Sequence, residues 1–289
     1  MNDVLVITGP TASGKTKLAY NIAHALKTEI IVADSMKVYK HADIATSKPP
    51  EAYRKKIPFH LIDIIEPCDR YDVGSFCRDT VRIINKLHKE NRTPVIAGGT
   101  SLYITKLMEG IADIPQLPED IKFKLEKQDT VSLYEQLKEA DPERAAQLHS
   151  NMKKRIVRAL GVYMHTGKRM SKMLKDTIPS DYNFIVITVE WPRKELYDRI
   201  NLRVDRMFQA GLAEEAKNLY KNFGSDAPVF AGVGYKQLIP WLTGVGTLEE
   251  ATEKVKKATR NYAKNQLTWW RHRDIIRLQG LKLSNLSGG

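Results

Sequence analysis

Eight residues near the start, GPTASGKT at positions 9–16, constrain this chain more than any others. They fit G-x-x-x-x-G-K-[ST], a loop that cradles phosphate when it joins a buried strand to a helix N-terminus. The flanking residues supply both elements. Residues 4–8 are a short apolar, β-rich run that reads as a buried strand. Over residues 17–26, Leu18, Ala19, Ile22 and Leu26 share one face of a predicted helix. A glycine-rich turn in that setting aims backbone N–H groups at an anion. Gly9, Pro10, Thr11, Ala12, Ser13, Gly14, Lys15 and Thr16 are therefore expected to bind a diphosphate or nucleotide. Lys15 would neutralise phosphate charge, and the Thr16 hydroxyl would ligate Mg²⁺. The loop alone does not say whose phosphates it holds.

The next hundred residues alternate strand and helix. Residues 29–33 and 94–97 read as buried strands, 59–65 as another, and 73–91 and 101–109 as helices. That alternation predicts an α/β fold: a P-loop NTPase-like parallel sheet covered by helices on both faces. The pattern changes near residue 111, where Pro115 and Pro118 punctuate the chain. Residues 113–179 read as a helical insertion domain. Strand character returns at 184–189, followed by helices at 193–209, 212–222 and 248–271, with 224–234 as a loop. The expected organisation is a core of residues 1–112 and 180–280, the insertion at 113–179 and a tail at 281–289.

A net charge of +12 points to an anionic partner, and its distribution is informative. Residues 150–175 hold eight basic side chains and no acid. A second basic segment runs from Lys254 through Arg260 and Lys264 to Arg273. Two such segments in a phosphate-binding chain favour nucleic acid over a merely solvated surface. No apolar run approaches the ~18 residues of a membrane span, and the chain enters a strand at once without a signal segment. A cytoplasmic protein with no membrane partner is expected. Cys68 and Cys77 form neither a disulfide framework nor a zinc site, and no histidine has metal-ligand spacing.

Asp34 ends the second predicted strand, at the edge where open parallel sheets bind ligands. A carboxylate there suits a general base, although Asp-Ser is also a common turn pair. The strand at 94–97 ends in Ala97-Gly98-Gly99-Thr100, without the aspartate that nucleoside triphosphatases place there for Mg²⁺. Two glycines suit close approach of backbone or ligand. Arg199 and Arg203 lie one helical turn apart. Arg199 has Glu195 as a potential ion-pair partner, and Arg203 has no acid within reach on its own helix. Arg155 and Arg158 share a helix face inside the acid-free segment. In the last helix Lys256, Arg260, Lys264 and Arg271 oppose Val255, Ala258, Tyr262 and Trp269, which predicts inward-packed aromatics.

Further segments carry a resemblance. ADSMKVYK at 33–40, DIATSKP at 43–49, HLIDI at 60–64, AGGTSLY at 97–103 and KRIVRAL at 154–160 occur in order with the opening loop. So do TGK at 166–168, LYDRINLRVDRMFQAGLAEEA at 196–216, VGYKQL at 233–238 and TRNYAKNQLTWWR at 259–271. The ensemble resembles the bacterial tRNA dimethylallyltransferases, also called tRNA isopentenyltransferases, over nearly the whole chain. The resemblance implies transfer of a dimethylallyl group from dimethylallyl diphosphate to the exocyclic amine of the adenine beside the anticodon, with diphosphate leaving. It implies catalytic roles for Asp34 as base and for Thr11, Lys15, Arg199 and Arg203 around the diphosphate. It implies tRNA contacts at Asp34, Ser35, Met36, Lys37, Thr100, Lys154, Arg155, Ile156, Val157 and Arg158. The implied cofactor is Mg²⁺, the implied partner is the tRNA anticodon stem-loop, and a monomer is expected. The chain departs from the family pattern at Ala45, Met152 and Gly161. The alternatives are a P-loop small-molecule or nucleoside kinase, a non-enzymatic RNA-binding module, and an adenylate isopentenyltransferase. The basic insertion argues against a small acceptor.

Overall fold

The computed structural model describes residues 2–110, 112, 114–175 and 181–280. The expected tail at 281–289 lies outside the described residues, as do residues 111, 113 and 176–180 near the ends of the insertion. In chain order the elements are β1 (Asp3–Thr8), α1 (Lys15–Ala25), β2 (Ile30–Val32), α2 (Glu51–Arg54), β3 (Phe59–His60), α3 (Val73–Lys89), β4 (Val95–Ala97) and α4 (Ser101–Glu109). Helices α5 (Glu119–Glu126), α6 (Thr130–Ala140), α7 (Pro142–Ala146), α8 (Lys153–Thr166) and α9 (Met170–Lys175) follow. Then come β5 (Asn183–Glu190), α10 (Arg193–Gln209), α11 (Leu212–Phe223), a 3₁₀ turn (Pro228–Ala231), α12 (Tyr235–Leu242), α13 (Leu248–Trp270) and β6 (Ile276–Gln279). Two compact units result: Met1–Lys106 with Asp181–Gly289, and Leu107–Ser180. Among the described residues no helix is long and apolar enough to cross a membrane.

The first unit is built on a parallel sheet in the order β3-β2-β4-β1-β5-β6. The two-residue side-chain period of a strand sorts its apolar residues. Ile7, Ile30, Val32, Val95 and Ala97 pack with Ala19 and Ala23 of α1. Val4, Val6, Ile31 and Ile96 alternate with them and are equally buried, so both faces of the central strands are covered. Parallel pairing brings the C-terminal ends of β1, β4 and β2 side by side, through Ile7↔Ala97 and Val32↔Ala97. Gly98 is required there. A Cβ on it would lie 1.9 Å from the Ala33 carbonyl oxygen, and backbone cannot give way as a flexible side chain can.

Three expectations about elements are corrected. The strand predicted over 59–65 stops at His60, because Leu61 and Asp63 take left-handed φ angles of 62° and 56°. Helix α12 follows the expected loop at 224–234, over residues for which the sequence pattern predicts no element, and it contains Pro240. Burial of Tyr235 and Leu238 against Leu212, Leu219 and Phe230 holds it. Strand β6, whose Ile276 and Arg277 are exposed, has too little apolar pattern to stand out, and pairing with β5 makes it.

The second unit is all-helical among its described residues. Leu125, Leu133, Leu137, Ile156 and Leu160 form its core. Buried Asp141 caps α7 through the Arg144 N–H at 3.2 Å and accepts from the Ser171 N–H and hydroxyl at 2.9 and 2.6 Å. Gly161 has a packing reason: a Cβ there would meet Leu117 at 2.6 Å.

Candidate functional site

The phosphate-binding loop adopts the conformation its sequence demands. Gly9 has φ of 136°, and a Cβ on it would lie 2.8 Å from the Val189 carbonyl oxygen of β5. Gly14, with φ of 92°, starts α1. The loop is braced from its outer side by α10 and the residues before it. The Trp191 indole N–H donates to the Ser13 carbonyl at 2.9 Å, and Arg199 Nε donates to the Ala12 carbonyl at 3.0 Å. The Arg199 guanidinium also stacks on the Trp191 ring at 4.1 Å. Arg199 therefore holds the loop, and its ion pair with Glu195 does not form.

Inside the loop lies a cavity of about 250 Å³ within the first unit. It brings together Thr11, Lys15, Thr16, Asp34, Ser35, Met36, Lys37 and Arg203 from the sequence-based candidates. Its charged lining is three cations, Lys15, Lys37 and Arg203, against one carboxylate, Asp34. Burial and the neighbouring Lys37 and Arg203 pull the Lys15 ammonium down to about 7, although Asp34 opposes the shift. Burial lowers Lys37 as well. Arg203 is also held below the ordinary guanidinium range by burial, and its Nε is buried with no hydrogen-bond partner. An anion is what such a set lacks. Lys15 Nζ meanwhile donates to the Pro10 carbonyl at 3.1 Å.

The lining also carries apolar side chains: Met36, Met207, Val233 and Val255. Asp34 is set by an Asx turn, its Oδ1 accepting from the Met36 N–H at 3.0 Å. Thr100 does not line the cavity but positions those that do, its Oγ1 accepting from the Ser35 N–H at 3.0 Å.

Two residues that sequence reasoning left without a role organise this site. Gln266 of α13 is buried. Its Oε1 accepts from the Thr11 N–H at 2.8 Å and its Nε2 donates to the Gly99 carbonyl at 2.7 Å. A side chain at Gly99 would push Gln266 out of these bonds, because a Cβ would meet its Nε2 at 2.4 Å. Glu215 of α11 accepts from the Asp43, Ile44 and Ala45 N–H groups at 2.8, 2.7 and 3.1 Å, and from the Tyr235 hydroxyl at 2.5 Å. It thereby fixes the segment whose Thr46 and Ser47 line the cavity. Lys48 of that segment is buried and bonds to the Tyr39 carbonyl, Asp43 and Asp63.

The basic candidates divide. Lys154 and Arg155 are exposed on α8. Ile156 and Val157 are instead buried in the helical core, so their side chains are withdrawn from the proposed tRNA set. Lys153, Arg169 and Lys175 are engaged within the second unit, by Gln128, Ala140 and Glu143. In α13, Lys256 pairs with Asp205 and Arg260 donates to Asn201. Tyr262 and Trp269 are partly exposed, contrary to their expected inward packing. Tyr262 lines the cavity, and the Trp269 indole donates to Thr105.

Among the described residues no group of three His, Cys, Asp or Glu side chains can hold a metal. Mg²⁺ nevertheless fits. It is commonly held by one or two protein oxygens, substrate phosphates and water, and Thr16 and Asp34 share the cavity.

The chain matches the family model "IPP transferase" over residues 37–273. It is 40% identical over 281 residues to a tRNA dimethylallyltransferase of Alkaliphilus oremlandii, covering 94% of this chain and 90% of that protein. It is 41% identical over 280 residues to one from Acetivibrio thermocellus, at 94% and 89% coverage. Its fold is similar to the crystal structure of a tRNA isopentenylpyrophosphate transferase from Bacillus halodurans, with TM-score 0.72, 34% identity and 99% and 95% of the two chains covered. It is also similar to a eukaryotic dimethylallyltransferase acting on tRNA, with TM-score 0.88, 29% identity and 100% and 76% coverage.

Proposed function

This chain belongs to the IPP transferase family, and we infer from that membership and its cavity that it moves a dimethylallyl group from dimethylallyl diphosphate onto tRNA. The acceptor we propose is the exocyclic amine of the adenine beside the anticodon. The observation that carries this reading is the cavity lining: three cations against one carboxylate, together with the apolar side chains of Met36, Met207, Val233 and Val255. A diphosphate bearing a short hydrocarbon answers both halves.

The chemistry follows from that lining. The allylic C–O bond breaks as electrons pass to diphosphate, so stabilising the departing charge lowers the barrier. Lys15, Arg203 and the loop N–H groups do this. The adenine nitrogen forms the new C–N bond, and its proton passes to Asp34. The adenine must leave its stack to reach the cavity. Thr16 would hold Mg²⁺, which when bound adds neutralising charge at the diphosphate. On the second unit we propose that Lys154, Arg155 and Arg158 meet tRNA phosphates. We propose a monomer working in the cytoplasm.

The deciding assay offers labelled dimethylallyl diphosphate to the protein with unmodified tRNA, with AMP, or with neither. Label in tRNA at the adenine amine is expected. Label in AMP but not tRNA would establish the free-nucleotide transferase instead, and phosphate transfer from ATP to a metabolite would establish a kinase.

Two further outcomes are expected. Diphosphate binding should raise the Lys15 pKa from about 7, so at pH 8 the complex takes up to about one proton. Calorimetric titrations in buffers of different ionisation heat measure that uptake. Affinity should weaken as pH rises above 7. The ligand-free protein should show the opposite trend: with the Lys15 pKa lowered by folding from 10.5 to about 7, the unfolded chain binds more protons between those values, and this group's contribution to stability should grow with pH across that window. For tRNA, Arg155→Ala with Arg158→Ala should reduce the slope of log affinity against log salt by about 1.5, two phosphate contacts' worth. A filter-binding salt series reads it.

A further inference from the structure

A continuous line of bonded groups joins the phosphate loop to the Asp34 turn, both of which line the cavity. It starts at the Thr11 N–H in the phosphate loop and crosses Gln266 to the Gly99 carbonyl. The Gly99–Thr100 peptide carries it on. The Thr100 hydroxyl oxygen then takes the Ser35 N–H, next to Asp34. Gln266 is the only link in this line that belongs to neither strand edge, because it comes from α13, 255 positions after Thr11. Both its amide groups are used, and it is buried, so it has no freedom to serve one partner without the other. A Cβ at Gly99 would collide with the Gln266 amide nitrogen at 2.4 Å. The Gln266 amide therefore ties the loop at the Thr11 N–H to the Gly99 carbonyl.

We propose that Gln266 is a positioning residue that couples occupancy of the phosphate loop to the placement of Asp34. The role rests on the reaction proposed above for its purpose, but its mechanics do not require a prenyl donor. Prenyl transfer needs the leaving group and the base at a fixed separation, and the loop and the Asp34 turn sit on different strands. Gln266 sets that separation. Order that a bound diphosphate imposes on the loop is then passed through the Thr11 N–H and Gln266 to the Gly99–Thr100–Ser35 segment.

The test compares wild type with Gln266→Met, which keeps the side-chain volume and drops both hydrogen bonds, and with Gln266→Ala. Amide hydrogen exchange is followed by mass spectrometry with and without inorganic diphosphate and Mg²⁺. In the wild type, diphosphate should slow exchange in peptides covering residues 9–16, 33–36 and 98–101. In Gln266→Met only the first should slow. Turnover should fall about 100-fold, the scale of an ångström's misplacement, while the KM for dimethylallyl diphosphate moves by less than about threefold. Equal protection of all three segments in Gln266→Met overturns the proposal, as does wild-type protection confined to the loop. So does a matched rise in KM without loss of turnover. A variant that melts far below wild type is set aside for the other one. A wild type that shows the exchange coupling but no prenyl transfer would overturn the reaction and leave the coupling standing.

Discussion

Asp34→Asn is expected to lower the rate of prenyl transfer about 1000-fold, within the range that loss of a general base produces, while both ligands still bind. Asparagine is the informative replacement. Asp34 Oδ1 accepts from the Met36 N–H, and the asparagine carbonyl can accept the same bond, so the turn survives. Alanine would remove turn and base together. Electrostatics add a sign that distinguishes this outcome from general damage. Asp34 is the sole carboxylate among the cavity's charged lining, facing Lys15, Lys37 and Arg203. Its charge opposes the depression of both lysines. Neutralising it leaves three cations unbalanced, so inorganic diphosphate should bind as tightly as before or more tightly. Single-turnover kinetics with calorimetry separate the two effects. A variant with wild-type turnover would remove Asp34 from the chemistry and leave it a turn residue.

What the sequence could disclose was decided by range. The phosphate loop is legible because its chemistry is local: two glycines, a lysine and a threonine act within eight positions, between a strand and a helix. Asp34 is legible because strands of a parallel sheet present their C-terminal ends together. Glu215 and Gln266 are not, because each acts across more than 160 positions. A glutamate before an alanine, or a glutamine in a basic helix, carries no local mark of a half-buried carboxylate serving three amides or an amide bridging two loops. The same holds for Trp191, whose partner Ser13 lies 178 positions away. Ile156 and Val157 show the converse error. They lie inside a motif whose Lys154 and Arg155 are exposed, and helical periodicity turns them into the core.

Arg203→Ala and Arg199→Ala should fail in opposite ways, a pairing that spacing alone could not resolve because the two lie one turn apart on α10. Arg203 faces the cavity with a buried, unpartnered Nε, and burial penalises its charge in the free protein. Removing it should leave thermal stability unchanged or raise it, since a charge that burial penalises and Asp34 only partly offsets is lost. Turnover should fall about 100- to 1000-fold, the loss seen when one preorganised donor to a developing negative charge is deleted. Arg199 spends its Nε on the Ala12 carbonyl and its face on Trp191. Its loss should cost about 1–2 kcal/mol of stability through the broken bond and stack. The loosened loop should raise the KM for dimethylallyl diphosphate with a fall in turnover of less than about tenfold. Urea denaturation and steady-state kinetics on the two variants give four numbers, and only the crossed pattern fits this assignment. A stable Arg199→Ala with the larger loss of turnover would make Arg199 the leaving-group cation, with Arg203 a buried charge whose partner is elsewhere.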